Sequence, residues 1–354
     1  MIMKLRAFVC ISMLALVLQV YSETRYIDCR DLMIANHPYM AGPLLSRLDV
    51  TRYRSLPEIV NTYAGYSTGL AILFSTDSPY IKAQWSTKYS SEGKNTSPLL
   101  QSGLDLYILR DSVWIHAGVG LPSDSLTHFD TLVDNMEPGM KNCILYLPLW
   151  NTLESLKVGV ADSAECIPYD HKFNKRIAIV GSSITHGAAA SRPGLAYPAQ
   201  LQRTLNAECI NLGFSGQCKL DDFYTDFLND TDADIYVIDA FSNPSPQQIE
   251  ARLRPFVDRI RLSRPNVPIV FIQTEIRETG NFDLKKREYE NSKRLAAENG
   301  IRELIENDYH DIYFINPGMP LGDTHERTVD GTHPSDAGFE LIIENLVTNL
   351  KPYL

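Results

Sequence analysis

The hydrophobic period of this chain changes once, near residues 170–175, and that change demands two differently built halves. From about Glu23 to Tyr169, short β-prone segments recur at 70–75, 81–87, 104–109, 112–119, 142–149 and 153–160. Several alternate apolar with polar residues, the period-two signature of a sheet with one solvated face. Turn-rich pieces such as SSEGKNTS and LPSDS separate them. An antiparallel β-sandwich is the economical fold for this half. After IPYDHKFNK, apolar strands at 177–180, 209–212, 235–239, 269–273 and 312–316 alternate with helical stretches at 196–206, 247–262, 284–299 and 335–350. That order predicts a parallel sheet covered on both faces.

The chain of 354 residues is long enough for two ordinary domains. Its first residues read as neither. Lys4 and Arg6 precede an apolar run over 7–20, and Ser22 is a small residue at a plausible cleavage point. The run is shorter than the roughly 20 residues of a spanning helix, so a cleaved signal peptide and an exported protein, periplasmic or extracellular, are expected. The predicted division is a signal peptide at 1–22, a sandwich at 23–172 and an α/β domain at 173–354. Cys10 leaves with the signal; Cys29, Cys143, Cys166, Cys209 and Cys218 remain, an odd number with no CxxC pair and no zinc-ligand spacing. No structural metal and no cofactor are expected. A formal net charge of -10 argues against nucleic acid or an anionic membrane surface as partner and favours a neutral substrate. The sequence leaves the oligomeric state open.

The stretch IAIVGSSITHGAA, 177–189, starts as a buried strand and ends abruptly at Gly181. In open α/β sheets, ligands bind at the carboxyl ends of strands, so a serine there is a candidate nucleophile. The competing reading is that Ser182 or Ser183 caps the next helix. Near the end of the chain, VDGTHPSDAG places Asp330 three residues before His333 in a turn. An imidazole held by a carboxylate has its tautomer fixed and its cationic form stabilised, as a general base for serine requires; a surface loop is the alternative. NLGFSGQ, 211–217, and DAFSNPSP, 239–246, follow strands on the same edge and offer backbone N–H groups and the Asn243 side chain to an oxyanion. Ordinary turn chemistry also explains them.

Taken in order, GSSIT, NLGFSG, SNP and DGTH resemble the four blocks of the SGNH hydrolases, also called GDSL-like esterases. The usual first block is Gly-Asp-Ser; here Ser182 stands in the aspartate position, as in relatives whose block looks like GSSIT or GTSIT. The resemblance implies that Ser183 is the nucleophile, His333 the general base and Asp330 its orienting acid. It implies an oxyanion hole made of the Ser183 backbone N–H, Gly216 and Asn243, with Gly216 rather than Gly213 matching the Asn-x-x-x-x-Gly spacing. The implied fold is a three-layer α/β/α hydrolase domain of flavodoxin-like type.

GSSITHGAAASRPGLAYPAQL followed by INLGFSG is similar to a subgroup that carries an N-terminal jelly-roll-like sandwich and includes esterases that deacetylate plant polysaccharides. An acetylated glycan is therefore the expected substrate and two-step acyl transfer the expected reaction. Arg192, Tyr197 and Arg277 are candidate substrate contacts, with surface or packing roles as their alternative. Trp85, Trp114 and Trp150 all fall in the first half; strand core is the ordinary role of such tryptophans, and stacking on sugar is the other. A lipid-directed lysophospholipase or general esterase of the same superfamily, and a non-catalytic glycan-binding protein, are the rival functions.

Overall fold

Every strand pair in the first half is antiparallel, and every pair in the main sheet of the second half is parallel. The computed structural model describes residues 23–39, 44–53, 55–90, 93, 95–274, 277–319 and 321–353; the expected signal peptide lies outside them.

The first half contains β1 (Thr24–Asp28), β2 (Met33–Ala35), α1 (Glu58–Ala64), β3 (Ala71–Thr76), β4 (Ile81–Thr87), α2 (Pro98–Ser102) and β5 (Leu104–Arg110). It continues with β6 (Val113–Gly120), β7 (Thr127–Val133), β8 (Lys141–Tyr146), β9 (Leu153–Ala161) and β10 (Cys166–Pro168). One sheet runs β1-β9-β4-β7; the other runs β10-β3-β8-β5-β6, with β2 also on β3. Trp85, Leu106, Leu145 and Val158 meet between the sheets. On β4 burial alternates along the strand, as period two requires, whereas every residue of β3 is buried. The reason is packing on both faces: Leu73, Tyr107 and Tyr146 press outward onto Ala199 of the second half.

The second half contains β11 (Lys175–Gly181), α3 (Ser183–His186), α4 (Tyr197–Leu205), β12 (Ala207–Gly213), α5 (Asp222–Asp230) and β13 (Ile235–Asp239). It ends with α6 (Pro246–Ser263), β14 (Ile269–Ile272), α7 (Leu284–Glu306), β15 (Ile312–Ile315) and α8 (Asp336–Leu350). Sheet order is β12-β11-β13-β14-β15. Along β11, Ile177 and Ile179 face Leu201 and Phe339 of α4 and α8, while Ala178 and Val180 face Phe227, Phe256 and Leu304 of α5, α6 and α7. The fold is thus a β-sandwich followed by an α/β/α domain. The short helices α1, α2 and α5 were not expected, because none carries a run of helical period long enough to stand out. Helix α7 extends past the expected end at residue 299 to Glu306.

The halves share core. Leu48, Val60 and Ala64 join one face of the parallel-sheet domain, and Leu100 and Leu149 join the other. Among the described residues, no helix is long and apolar enough to cross a membrane. The five cysteines among the described residues are free thiols.

Candidate active site

Strand β11 lies between β12 and β13, so its carboxyl end is flanked by the turns that follow both. The chain leaves β11 through Gly181, where a Cβ would strike Thr185 Oγ1 at 1.8 Å. The two serines then divide their labour. Ser182 is the N-cap of α3, its side chain accepting from the Ile184 N–H at 3.2 Å. Ser183, the first helical residue, has Oγ 2.9 Å from His333 Nε2.

His333 sits in a turn between β15 and α8 that is closed by the Val329 N–H donating to the His333 carbonyl at 2.9 Å. Gly331 takes φ +80°, a left-handed value that suits glycine. Asp330 Oδ1 accepts the backbone N–H groups of Thr332 and His333 at 3.1 and 2.9 Å. Its Oδ2 lies 2.8 Å from His333 Nδ1. Nδ1–H therefore donates to the carboxylate, leaving Nε2 to accept from the Ser183 hydroxyl. Burial works against ionisation of Asp330, yet the bonds from the His333 backbone and ring and from Asn95 outweigh it and hold the carboxyl below the usual range.

The flanking turns are pinned to this centre. Asn211, on β12, donates its side-chain amide to the Thr185 carbonyl at 2.8 Å and accepts the Gly213 N–H at 2.9 Å. Gly213 thus has its donor engaged, and its missing Cβ makes room for the His186 backbone, 2.2 Å from where a Cβ would lie. Gly216, at φ +70°, has open space at its Cβ position. Asn243 follows β13 on the other side. Gly216 and Asn243 therefore stand in the turns that follow the two strands flanking β11.

Beside His333 opens a cleft of about 410 Å³. Tyr63, Tyr66, Tyr89 and Trp150 line it, together with Ser90, Asn95, Thr96, Gln101, Ala188, Ser215 and His333. The rings and amides come from the sandwich half. Trp150 stacks on buried His186 with centroids 3.9 Å apart and planes 3° apart. Burial, aided by the nearby Arg47 charge, keeps the His186 imidazole well below its usual pKa; its Nε2 lies 2.8 Å from the Leu149 carbonyl. Asn95 Nδ2 donates to Asp330 Oδ2 at 2.9 Å. Arg47 is buried, donates to the Gly213 carbonyl at 2.7 Å and lies 4.1 Å over the Phe214 ring.

The candidate substrate contacts are placed otherwise. Tyr197 is buried, with its hydroxyl donating to Asp239 at 3.2 Å beside Thr185. Arg192 reaches away from the cleft to Asp105, a fully buried carboxylate, at 2.7 Å; Gly194 N–H donates to the same carboxylate at 2.8 Å. Arg277 lies behind the Ser242–Asn243 turn, its Nη2 donating to the Ser242 carbonyl at 3.2 Å. Each is held by a partner inside the protein. Trp85 is core, donating to the Ser102 carbonyl at 2.8 Å, and Trp114 packs on Tyr169 and His171.

Sequence reasoning missed Asn95 and the tyrosines, which stand in loops and a short helix without a motif. It also missed Asp105, although a carboxylate in the middle of LDLYIL was a visible signal of a buried, partnered charge.

The model of the GDSL-like lipase/acylhydrolase family matches residues 174–351. The chain belongs to that family. The model for the N-terminus of SGNH-hydrolase-type esterases, named for Gly-x-Asp-Leu-Tyr, matches residues 24–166. The motif is Gly103–Tyr107 here, and its Asp105 and Tyr107 are the groups that hold Arg192 across the domain boundary. A Bacteroides ovatus protein described as a GDSL-like lipase is similar over 94% of this chain and 98% of its own, with 40% identity and TM-score 0.91. Two more distant structures share the fold. The salicylyl-acyltransferase SsfX3 from a tetracycline biosynthetic pathway has 18% identity and TM-score 0.70, covering 93% of this chain and 97% of that one. A family two carbohydrate esterase from Cellvibrio japonicus has 14% identity and TM-score 0.61, covering 94% and 98%. No curated protein matches the chain. Membership places this GDSL-like family member among hydrolases that act on esters.

Proposed function

We propose that the protein is an exported serine esterase that removes O-acetyl groups from a plant-type polysaccharide or oligosaccharide. The observation that carries this reading is the Ser183–His333–Asp330 chain, at 2.9 and 2.8 Å, opening into a cleft of aromatic rings, amides and hydroxyls. Flat rings stack on the apolar faces of sugars, and amides and hydroxyls bond their hydroxyls. Among the described residues, Ala188 is the one aliphatic side chain in the lining, which favours a short acyl group over a long one. Export rests on the basic and apolar residues at the start of the sequence, and the carbohydrate esterase of the same fold adds a precedent for sugar esters on this scaffold.

In this reaction His333 Nε2 takes the Ser183 Oγ proton as Oγ attacks the acetyl carbonyl. The Ser183 N–H, Gly216 N–H and Asn243 amide hold the oxyanion. As the carbonyl reforms, the bond to the sugar oxygen breaks and the alcohol leaves with the proton from His333. Water then gives its proton to His333, attacks the acetyl-serine, and releases acetate with the proton returned to Ser183 Oγ.

The test is acetate release from acetylated xylan, xyloglucan and pectin by wild type and Ser183→Ala, with short and long acyl p-nitrophenyl esters alongside. Serine-dependent release from one polymer is expected. Serine-dependent cleavage confined to long acyl esters would move the protein to the lipid esterases, and polymer binding without turnover would make it a glycan-binding protein.

A further inference from the structure

Behind the Ser242–Asn243 turn lies a buried charge cluster that neither the catalytic chain nor the cleft includes. Lys293, on α7, is buried and donates its Nζ to the Ser242 carbonyl at 3.0 Å. Arg277 Nη2 donates to the same oxygen at 3.2 Å. Glu290, one helical turn before Lys293 and also buried, holds both cations: Oε2 lies 2.6 Å from Lys293 Nζ and Oε1 lies 3.3 Å from Arg277 Nε. Lys286 Nζ approaches Glu290 Oε1 at 3.3 Å from the solvent side.

Removing a lysine and a glutamate from water is costly, and an apolar pair would fill the same space without that cost. What an apolar pair would not do is grip one carbonyl from two directions. The gripped oxygen belongs to the peptide that leads into Asn243. Two charge-assisted donors on it fix the plane of that peptide, and with it the position from which the Asn243 side chain leaves the backbone. A hole donor works only if it is held where the oxyanion will form, so small displacements lower the rate without changing substrate binding.

We infer that Lys293 and Arg277, held by Glu290, are positioning residues of the oxyanion hole, acting through the Ser242 carbonyl on Asn243. This rests on the serine-esterase reading above. It also gives Arg277 a role in catalysis without contact to substrate.

The test is a double-mutant cycle on p-nitrophenyl acetate with Lys293→Met and Asn243→Ala, and with Ser183→Ala as reference. Lys293→Met is expected to lower kcat about tenfold with KM within about twofold, less than the roughly hundredfold loss from removing a hole donor outright. In the Asn243→Ala background the same substitution is expected to cost less than about twofold, because its effect runs through a side chain already removed. Arg277→Gln, at the outer end of the cluster, is expected to repeat the pattern, and Arg277→Lys to restore most of kcat. Circular dichroism and thermal melting establish that each variant is folded; if Lys293→Met is not, Arg277→Gln carries the cycle. Multiplicative losses, or wild-type kcat in a folded variant, would overturn the inference. Activity retained by Ser183→Ala would instead overturn the site itself, a separately recognisable result.

Discussion

Asn95 Nδ2 and Asp330 Oδ2 lie 2.9 Å apart although 235 residues separate them in the chain. Through that bond a loop of the sandwich completes the hydrogen-bond shell of the carboxylate that orients His333. Asn95→Ala is expected to lower kcat/KM about tenfold, the order of a hydrogen bond to a charged group at a partly exposed site. The pH profile supplies the sign. Asp330 is held below the ordinary carboxylate range, so its ionised form is present above the unfolded value and is lost as pH falls through the folded one. Removing a donor raises the folded value, so the stability contributed by the ionised carboxylate should be lost at a higher pH on acidification. Urea midpoints of wild type and variant below about pH 5 measure the shift.

The adjacent serines predict opposite phenotypes. Ser183→Ala should lose at least about a thousandfold in kcat while keeping its melting temperature. Ser182→Ala removes the cap of α3 and should cost about 1 kcal/mol of stability, read from urea unfolding. Ser182→Asp, which keeps an acceptor at the cap, should restore the stability.

Arg192→Met should destabilise the protein without raising KM. It leaves Asp105, fully buried, without the guanidinium and with only His116 Nε2, at 3.2 Å, as a side chain that can carry positive charge, and loss of one partner of a buried ion pair costs about 3 kcal/mol. Unfolding midpoint and KM together check this; a raised KM at unchanged stability would return Arg192 to the substrate cleft.

Asp239 joins the nucleophile turn to the sheet, accepting from Thr185 Oγ1 at 2.7 Å and from the Tyr197 hydroxyl at 3.2 Å. Burial, only partly offset by these bonds, pushes its carboxyl up to about 6. A folded value above the unfolded one favours the protonated form, so the contribution of Asp239 to stability is greatest below about pH 4 and is lost as pH rises through about 6. The slope amounts to about 3 kcal/mol. Asp239→Asn should flatten it, seen as urea midpoints that no longer change between about pH 4 and pH 7.

Tyr89, partly exposed on the cleft wall, should matter for large substrates only. Tyr89→Ala is expected to raise KM on an acetylated oligosaccharide about fivefold, the worth of one aromatic contact. Turnover of p-nitrophenyl acetate should stay within about twofold. Equal effects on both substrates would remove the ring from the binding surface.

The parts of this molecule that were legible in its sequence are those set by local chemistry. The continuous apolar run 177–180 marks a strand buried on both faces, and Gly181, Ser182 and Ser183 mark the turn after it. Asp330 and His333 are three residues apart in one turn, so their pairing is nearly a local property. The change of period near residue 170 separates a sandwich from a parallel sheet because side chains alternate at two residues in one and face helices in the other. Tertiary structure alone decided what surrounds Ser183. Asn95, Tyr66 and Tyr89 stand in loops, where no period marks direction. Arg192 and Tyr197 look like any polar residues near a motif until Asp105 and Asp239 are found to hold them. Whether a charged or aromatic side chain meets substrate or a buried partner depends on which distant segment folds against it, and spacing along the chain carries no record of that contact.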